Sequence, residues 1–322
     1  MSTCAKVSRD LEEPLAGTAA TARTWLLVEQ PGPWGAAALT SSHLDPVLGR
    51  ALERAAEGTG VRVALIRRPG RHADCHKVAE RQVYAAHTAP GNVWLHSATT
   101  SDPGRLLTLD FAALGRGLSG SFDTALDGRP HAGDPLALVC TNGKRDRCCA
   151  LLGRPLAAEL AASGVAGAWE VTHLGGHRFS PTLLVLPFGY AYGRAEAHAV
   201  KEVLHGVREG RVVTEGCRGS SAWERPGQAA ELAVRTAVGE DAAGALSVVR
   251  TEGEVPHWEV TVAHTDGRHW LVSVGQGASR PPRAESCGSA LGSPARMDVT
   301  AVRELSRTGA QGTTVNTSPA TR

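Results

Sequence analysis

Two short loops hold the residues with the clearest metal-binding chemistry, and each loop follows a hydrophobic run. The first loop begins at Cys140 and ends with the adjacent pair Cys148 and Cys149, while the second is His173-Leu-Gly-Gly-His177. Thiolate sulfur and imidazole nitrogen are the ligands of protein-bound zinc and of several iron–sulfur centres. The first loop has one thiol at Cys140 and another eight or nine residues later, and the second loop has two imidazoles at i and i+4. These side chains predict a four-ligand site.

The residues between these ligands favour the same chemistry. Gly175 and Gly176 lack Cβ atoms, so the backbone can approach a bulky group and offer N–H donors to it. Three basic residues in the first loop, Lys144, Arg145 and Arg147, place positive charge beside the thiols. Positive charge favours the thiolate form, and we therefore expect lowered thiol pKa values.

The surrounding pattern predicts how these loops are positioned. Buried strands are expected at 135–139 and 168–172, with a helix from about 148 to 162 between them. Reactive groups at the carboxyl ends of neighbouring strands are typical of open α/β sheets. Two further strands, 182–186 and 190–192, and a helix over 194–208 complete an order that resembles a thioredoxin-like unit.

The N-terminal half shows a similar order, with Gly-Pro-Trp-Gly in place of the cysteine loop. It has a strand at 24–29, a helix from 46 to about 56 capped by Asp45, and a strand at 61–66. Weaker strand signals occur at 93–96 and 106–110, and 115–130 is expected to be a connector. Alternation around Asp266-Gly267 predicts a β-hairpin near the C-terminus.

The predicted fold class is α/β, with five segments. They are an irregular leader (1–22), a divergent thioredoxin-like domain (23–132), a thioredoxin-like domain with the four-ligand site (133–215), a small α+β extension (216–305) and a disordered tail (306–322).

Composition narrows the functional classes. The chain has 322 residues, of which 42% are hydrophobic, and a formal net charge of +2. This charge is too small to indicate nucleic-acid binding. The sequence has no apolar run long enough for a transmembrane helix, and acidic residues near the start argue against a signal peptide. We therefore expect a cytoplasmic protein that binds neither nucleic acid nor membranes.

The seven cysteines of a cytoplasmic chain are expected to be reduced thiols or metal ligands and not a disulfide framework. Four of them lie away from the two loops and are predicted to be incidental: Cys4, Cys75, Cys217 and Cys287.

The two loops together resemble the sucrase/ferredoxin-like family. The matching stretches are Cys140-Thr-Asn-Gly-Lys-Arg-Asp-Arg-Cys-Cys149 and Thr172-His-Leu-Gly-Gly-His-Arg-Phe179, with weaker matches at 29–35, 186–193 and 218–231. The resemblance implies a thioredoxin-like [2Fe–2S] ferredoxin in which His-x-x-x-His replaces one cysteine pair. It assigns the ligands to Cys140, Cys149, His173 and His177, with the adjacent Cys148 as the alternative to Cys149. The chain departs from the family at Asn142, where His is frequent.

The resemblance implies an electron-transfer protein or a component of a redox enzyme that passes single electrons to a redox partner, and no catalytic residue is predicted. Two alternatives use the same residues. The four ligands suit a structural zinc ion equally well, and Cys140 could be the nucleophile of a reductase or phosphatase with Arg145 as the oxyanion-binding group. A glycosidase requires a pair of carboxylates, and no such pair stands out.

Overall fold

The computed structural model describes residues 3–70 and 79–306, and it contains two β-sheets. The predicted α/β class is confirmed. The ten strands of the larger, mixed sheet are β1 (Thr24–Glu29), β2 (Val61–Arg67), β3 (Arg81–His87), β4 (Trp94–Thr100), β5 (Arg129–Pro130), β6 (Leu136–Cys140), β7 (Ala168–Val171), β8 (Leu183–Leu186), β9 (Tyr190–Tyr192) and β10 (Cys217–Ser220). The four strands of the smaller, antiparallel sheet are β11 (Leu246–Glu254), β12 (His257–His264), β13 (His269–Ala278) and β14 (Ala295–Leu305).

Seven α-helices accompany the sheets in the described chain. They are α1 (Cys4–Asp10), α2 (Pro46–Ala56), α3 (Phe111–Gly115), α4 (Gly120–Leu126), α5 (Arg154–Ala162), α6 (Ala197–Arg208) and α7 (Arg225–Val238). The N-terminus of α2 forms as predicted, because the Asp45 side chain accepts a hydrogen bond from the Val47 N–H and Pro46 occupies the first helical position.

The two halves of the large sheet have the same topology. In the second half, β6 and β7 are parallel, β8 pairs antiparallel with β6, and β9 with β8. In the first half, β1 and β2 are parallel, β3 pairs antiparallel with β1, and β4 with β3. A helix crosses between each parallel pair, α5 in the second half and α2 in the first. This is the thioredoxin-like arrangement that the sequence predicts for both halves.

The halves meet where β2 pairs antiparallel with β7, so the ten strands form one continuous sheet. The junction holds a buried ion pair, in which Arg67 Nη2 lies 2.7 Å from Glu170 Oε2. The same carboxylate oxygen accepts a hydrogen bond from Thr141 Oγ1 at 2.7 Å, and Thr141 follows Cys140 directly. The junction therefore supports the loop that begins at Cys140.

Several sequence-based predictions of local structure were wrong. The leader is not entirely irregular, because Thr3 caps α1 and the helix buries Cys4, Ala5 and Ser8. Residues 103–108 form a 3₁₀-helix started by Asp102 and Pro103 instead of a strand. The connector predicted at 115–130 contains α4, and strand β3 was not predicted.

The C-terminal extension consists of α7 packed on the small sheet, with the hairpin predicted around Asp266-Gly267 joining β12 and β13. The predicted tail, 306–322, lies outside the described residues except for Ser306, and so does Cys75. Within residues 3–70 and 79–306, no helix is both long and apolar enough to cross a membrane.

Candidate metal centre

The parallel pairing of β6 and β7 brings both loops to one edge of the sheet. Cys140 is the last residue of β6, and it lies opposite Val171, the last residue of β7. The Cys140 side chain is 1% exposed, and its Sγ lies 3.2 Å from the Thr172 carbonyl oxygen. This contact holds the first thiol against the start of the histidine loop.

Cys149 contacts the other end of the histidine loop, at His177. It begins a single π-helical turn, Cys149–Gly153, which precedes α5. Such π-helical turns occur frequently at functional sites. The Cys149 side chain is buried, and its Sγ lies 3.5 Å from His177 Nδ1.

The two imidazoles stack beside the thiols. The ring centroids of His173 and His177 are 4.6 Å apart with 24° between the ring planes. Both histidines are half-buried, whereas both thiols are inaccessible. His173 Nδ1 is buried and has no hydrogen-bond partner within the described residues. A buried ring nitrogen without a partner is the kind of donor atom that a metal would satisfy.

The protonation states also suit metal binding. The pKa of Cys140 is held well below its ordinary value, because Cys149 donates a hydrogen bond to it and His173 also favours the thiolate, against the opposing effect of burial. The same hydrogen bond, together with burial, raises the pKa of Cys149. Burial lowers the pKa of His177, and repulsion from His173 lowers it further. A thiolate and a neutral imidazole are the forms that bind metals.

Two arginines that sequence reasoning missed hold the histidine loop in place. Arg62 Nη2 donates to the His173 carbonyl at 2.6 Å, and Arg218 Nη1 donates to the Gly175 carbonyl at 3.1 Å. Arg218 is fully buried, which lowers its pKa to about 10, so it stays charged at neutral pH. Both cations interact with the Cys140 thiolate, and Arg145, one of the three predicted basic residues, acts on His177. The weaker family match at 218–231 begins with Arg218 and was the only sequence signal for the role of this arginine.

The paired glycines of the histidine loop have positive φ angles, 75° at Gly175 and 69° at Gly176. A Cβ atom at Gly175 would meet only the Ala20 side chain, at 4.0 Å. A Cβ atom at Gly176 would collide with the guanidinium of Arg218. The two glycines therefore share one backbone requirement but differ in the space around them.

This difference gives a prediction with an internal control. Gly175→Ala should cost about 1–2 kcal/mol of unfolding free energy, since a non-glycine residue is strained at positive φ. Gly176→Ala should cost a further amount of about 1–3 kcal/mol, because the buried Arg218 cannot move away freely. Urea unfolding of both variants measures the difference, and equal losses would show that Arg218 does not pack against Gly176 as described.

Cys148 points away from this centre. Its Sγ lies 3.5 Å from Cys4 Sγ and 3.2 Å from Cys287 Sγ, in a second cluster that also includes Asp146. Cys4 and Cys287, which were predicted to be incidental, therefore pack against Cys148 although they lie far from it in sequence. Cys217 is buried in the core between the large sheet and α6, as expected of an incidental cysteine.

Comparison with known proteins returned one family. The model of a family described as sucrase/ferredoxin-like matches residues 15–219, a span that includes both loops and Arg218. No curated protein and no solved structure matched the chain significantly.

Proposed function

Because the chain belongs to the sucrase/ferredoxin-like family, we propose that it is an electron-transfer protein with one [2Fe–2S] cluster. The proposed ligands are two thiolates and two imidazoles: Cys140, Cys149, His173 and His177. A cluster of this kind accepts and releases one electron at a time. The proposed partner is a redox protein that donates or receives that electron.

The main support for this proposal is that the four donor side chains lie close together. Two buried thiols and two half-buried imidazoles, from loops 24 or more residues apart in sequence, lie side by side at one sheet edge. The donor set fits a two-iron centre in which one iron takes two sulfurs and the other two nitrogens. The unpartnered Nδ1 of His173 supports the presence of a ligand at this place.

The residues around the site would set its charge and access. Neutral imidazoles in place of two thiolates make an oxidised site neutral overall and not doubly negative, and Arg62 and Arg218 add positive charge nearby. Both effects favour the uptake of an electron, so we expect a higher potential than in a plant-type ferredoxin. Because the histidines are the half-exposed side of the site, we propose that electrons enter and leave at their edge.

A single structural zinc ion is the second candidate, and one distance favours it. Tetrahedral Zn²⁺ with ordinary bond lengths holds a sulfur and a nitrogen about 3.5 Å apart, which is the distance between Cys149 Sγ and His177 Nδ1. A two-iron core would lie between the thiols and the imidazoles and would require a wider separation. The family favours the iron–sulfur cluster, and metal analysis separates the two.

Nucleophilic chemistry at Cys140 has less support. A nucleophile must meet its substrate, whereas Cys140 is 1% exposed and its thiol is hydrogen-bonded to the Thr172 carbonyl. The lowered pKa of Cys140 arises chiefly from hydrogen bonds with Cys149 and His173.

The imidazoles predict how the reduction potential depends on pH. A ligating imidazole keeps a proton on its second nitrogen, and that proton is more acidic in the oxidised protein. Between the oxidised and reduced pKa values, the potential should therefore fall as pH rises, by up to about 59 mV per pH unit. Redox titration over a range of pH values measures this slope.

Variants make the test specific to the ligands. His173→Cys or His177→Cys, if the iron is retained, should lower the potential and weaken the slope, because an anionic sulfur replaces a neutral, ionisable ring. His198→Cys on α6, where the histidine side chain is 75% exposed, should change neither. A potential that does not vary with pH would count against histidine ligation.

A further inference from the structure

Three thiols from distant parts of the chain meet beside the proposed cluster site. The Sγ atoms of Cys4 and Cys148 are 3.5 Å apart, those of Cys4 and Cys287 are 3.6 Å apart, and those of Cys148 and Cys287 are 3.2 Å apart. Cys4 begins α1, Cys148 belongs to the cysteine loop, and Cys287 precedes β14. Cys4 and Cys148 are buried, and Cys287 is half-buried.

A buried carboxylate completes the group. The Asp146 side chain is 3% exposed, and its two oxygens lie 3.9 and 4.0 Å from Cys4 Sγ. Its orientation is fixed by two backbone donors, the N–H of Cys148 at 2.8 Å and the N–H of Cys287 at 2.7 Å. The carboxylate therefore faces the three sulfurs and is supported by the same segments that provide them.

The distances fit the shell of one tetrahedral ion. With Zn–S bonds of about 2.3 Å, two sulfurs on the same zinc are about 3.8 Å apart. A carboxylate oxygen bound at about 2.1 Å lies about 3.6 Å from each sulfur. The observed separations differ from these values by about 0.2 to 0.6 Å. All four ligand atoms lie within 4.8 Å of one another.

We propose that this group is a second metal site that binds one structural Zn²⁺ and adjoins the four-ligand centre, because Asp146 also lies within 4.8 Å of the ligand atoms of Cys149 and His177. Its ligands are Cys4, Asp146, Cys148 and Cys287. Four protein ligands fill the tetrahedral shell of a zinc ion, as in structural sites, whereas catalytic sites have three protein ligands and a water. Zinc binding displaces three thiol protons to solvent, and the divalent cation compensates two of the four negative charges that the three thiolates and Asp146 then carry.

A metal at this site would link α1 and the segment before β14 to the cysteine loop. The N-terminal helix α1 and the segment before β14 have no strand pairing with the large sheet near this loop. An ion-pair network lies along the same seam, where Glu13 from the N-terminal segment contacts Arg178 and Arg283. Since Cys148 and Cys149 are adjacent, a metal on Cys148 would also fix the backbone that presents Cys149 to the four-ligand centre.

The test is metal analysis of the full chain purified anaerobically. We expect about one zinc per chain in the wild type. Cys4→Ser and Cys287→Ser should each reduce zinc at least tenfold and leave the iron content unchanged. Cys217→Ser is the matched control, since Cys217 is buried but lies outside both clusters, and it should retain both metals. Cys140→Ser should do the reverse and lose iron while it retains zinc.

A second measurement applies if the serine variants fail to fold. The full-length Cys149→Ser variant, stripped of metal and titrated with Co²⁺, should take up one cobalt with the charge-transfer and strong d–d bands of tetrahedral thiolate coordination. The proposal is overturned if the wild type contains no zinc and takes up no cobalt, or if thiol counting finds a disulfide within the cluster. It is also overturned if Cys4→Ser and Cys287→Ser remove iron and leave zinc, since the iron centre would then belong to these three thiols.

Discussion

Replacing Cys149 with serine should reduce the iron content of the anaerobically purified protein from about two atoms per chain to nearly none. Cys148→Ser should retain most of the iron, although the two residues are adjacent. The reason is that the two side chains leave the backbone in different directions. Cys149 Sγ lies 3.5 Å from His177 Nδ1, and Cys148 Sγ lies 3.2 Å from Cys287 Sγ.

Measuring both iron and zinc in these two variants shows which cysteine belongs to which metal site. Cys149→Ser should lose iron and retain zinc, while Cys148→Ser should lose zinc and retain iron. Each variant is the control for the other, since the substitution is the same and both side chains are buried. If Cys148→Ser is the variant that lacks iron, the iron ligand is Cys148, and the assignment of the two clusters is reversed.

Replacing Glu13 with glutamine should destabilise the protein by about 3–5 kcal/mol, the usual effect of breaking a buried ion pair. Glu13 is 2% exposed, and its two oxygens accept hydrogen bonds from Arg178 at 2.7 Å and Arg283 at 3.0 Å. Both arginines are also buried, so the neutral glutamine would leave Arg283 without its carboxylate and Arg178 with only the exposed Glu285 at 3.1 Å. Urea unfolding of the full chain measures the loss.

A surface acid on the same N-terminal segment is the control. Asp10 pairs with Lys6 at 2.8 Å, but both side chains are more than half exposed. Asp10→Asn should therefore cost no more than about 1 kcal/mol. A similar small loss in Glu13→Gln would show that the N-terminal segment does not pack against Arg178 and Arg283.

The stability that Glu13 provides should also depend on pH. Burial raises the pKa of Glu13, but the hydrogen bonds from Arg283 and Arg178 more than offset this, and the net pKa is lowered. The contribution is therefore complete above the ordinary glutamate pKa of about 4.3 and is lost as the pH falls through the lowered value. Between about pH 6 and about pH 3 the wild type should lose more stability than Glu13→Gln.

The sequence predicted best the features that depend on residues close to one another in the chain. The hydrophobic runs before Cys140 and His173 become β6 and β7, and their parallel pairing places the two loops at one edge. The motifs at these loops lie within 40 residues of one another, so the spacing alone could indicate that their side chains meet. The positive φ angles at Gly175 and Gly176 likewise follow from residue type.

The parts that the sequence did not predict depend on contacts between distant segments. Cys4 and Cys287 are 283 residues apart, and no spacing rule brings them to Cys148. Arg62 and Arg218 come from different parts of the sheet and support the histidine loop through its carbonyl oxygens, which have no sequence signature. The leader also appeared irregular because α1 has only seven residues and is stabilised by packing against the region of the histidine loop.

Iron and acid-labile sulfide, measured together with the visible spectrum of protein purified without air, test the central proposal most directly. A [2Fe–2S] cluster on Cys140, Cys149, His173 and His177 predicts reddish-brown protein with about two irons and two sulfides per chain, bleached reversibly on reduction. Colourless protein that holds zinc and neither iron nor sulfide would contradict it.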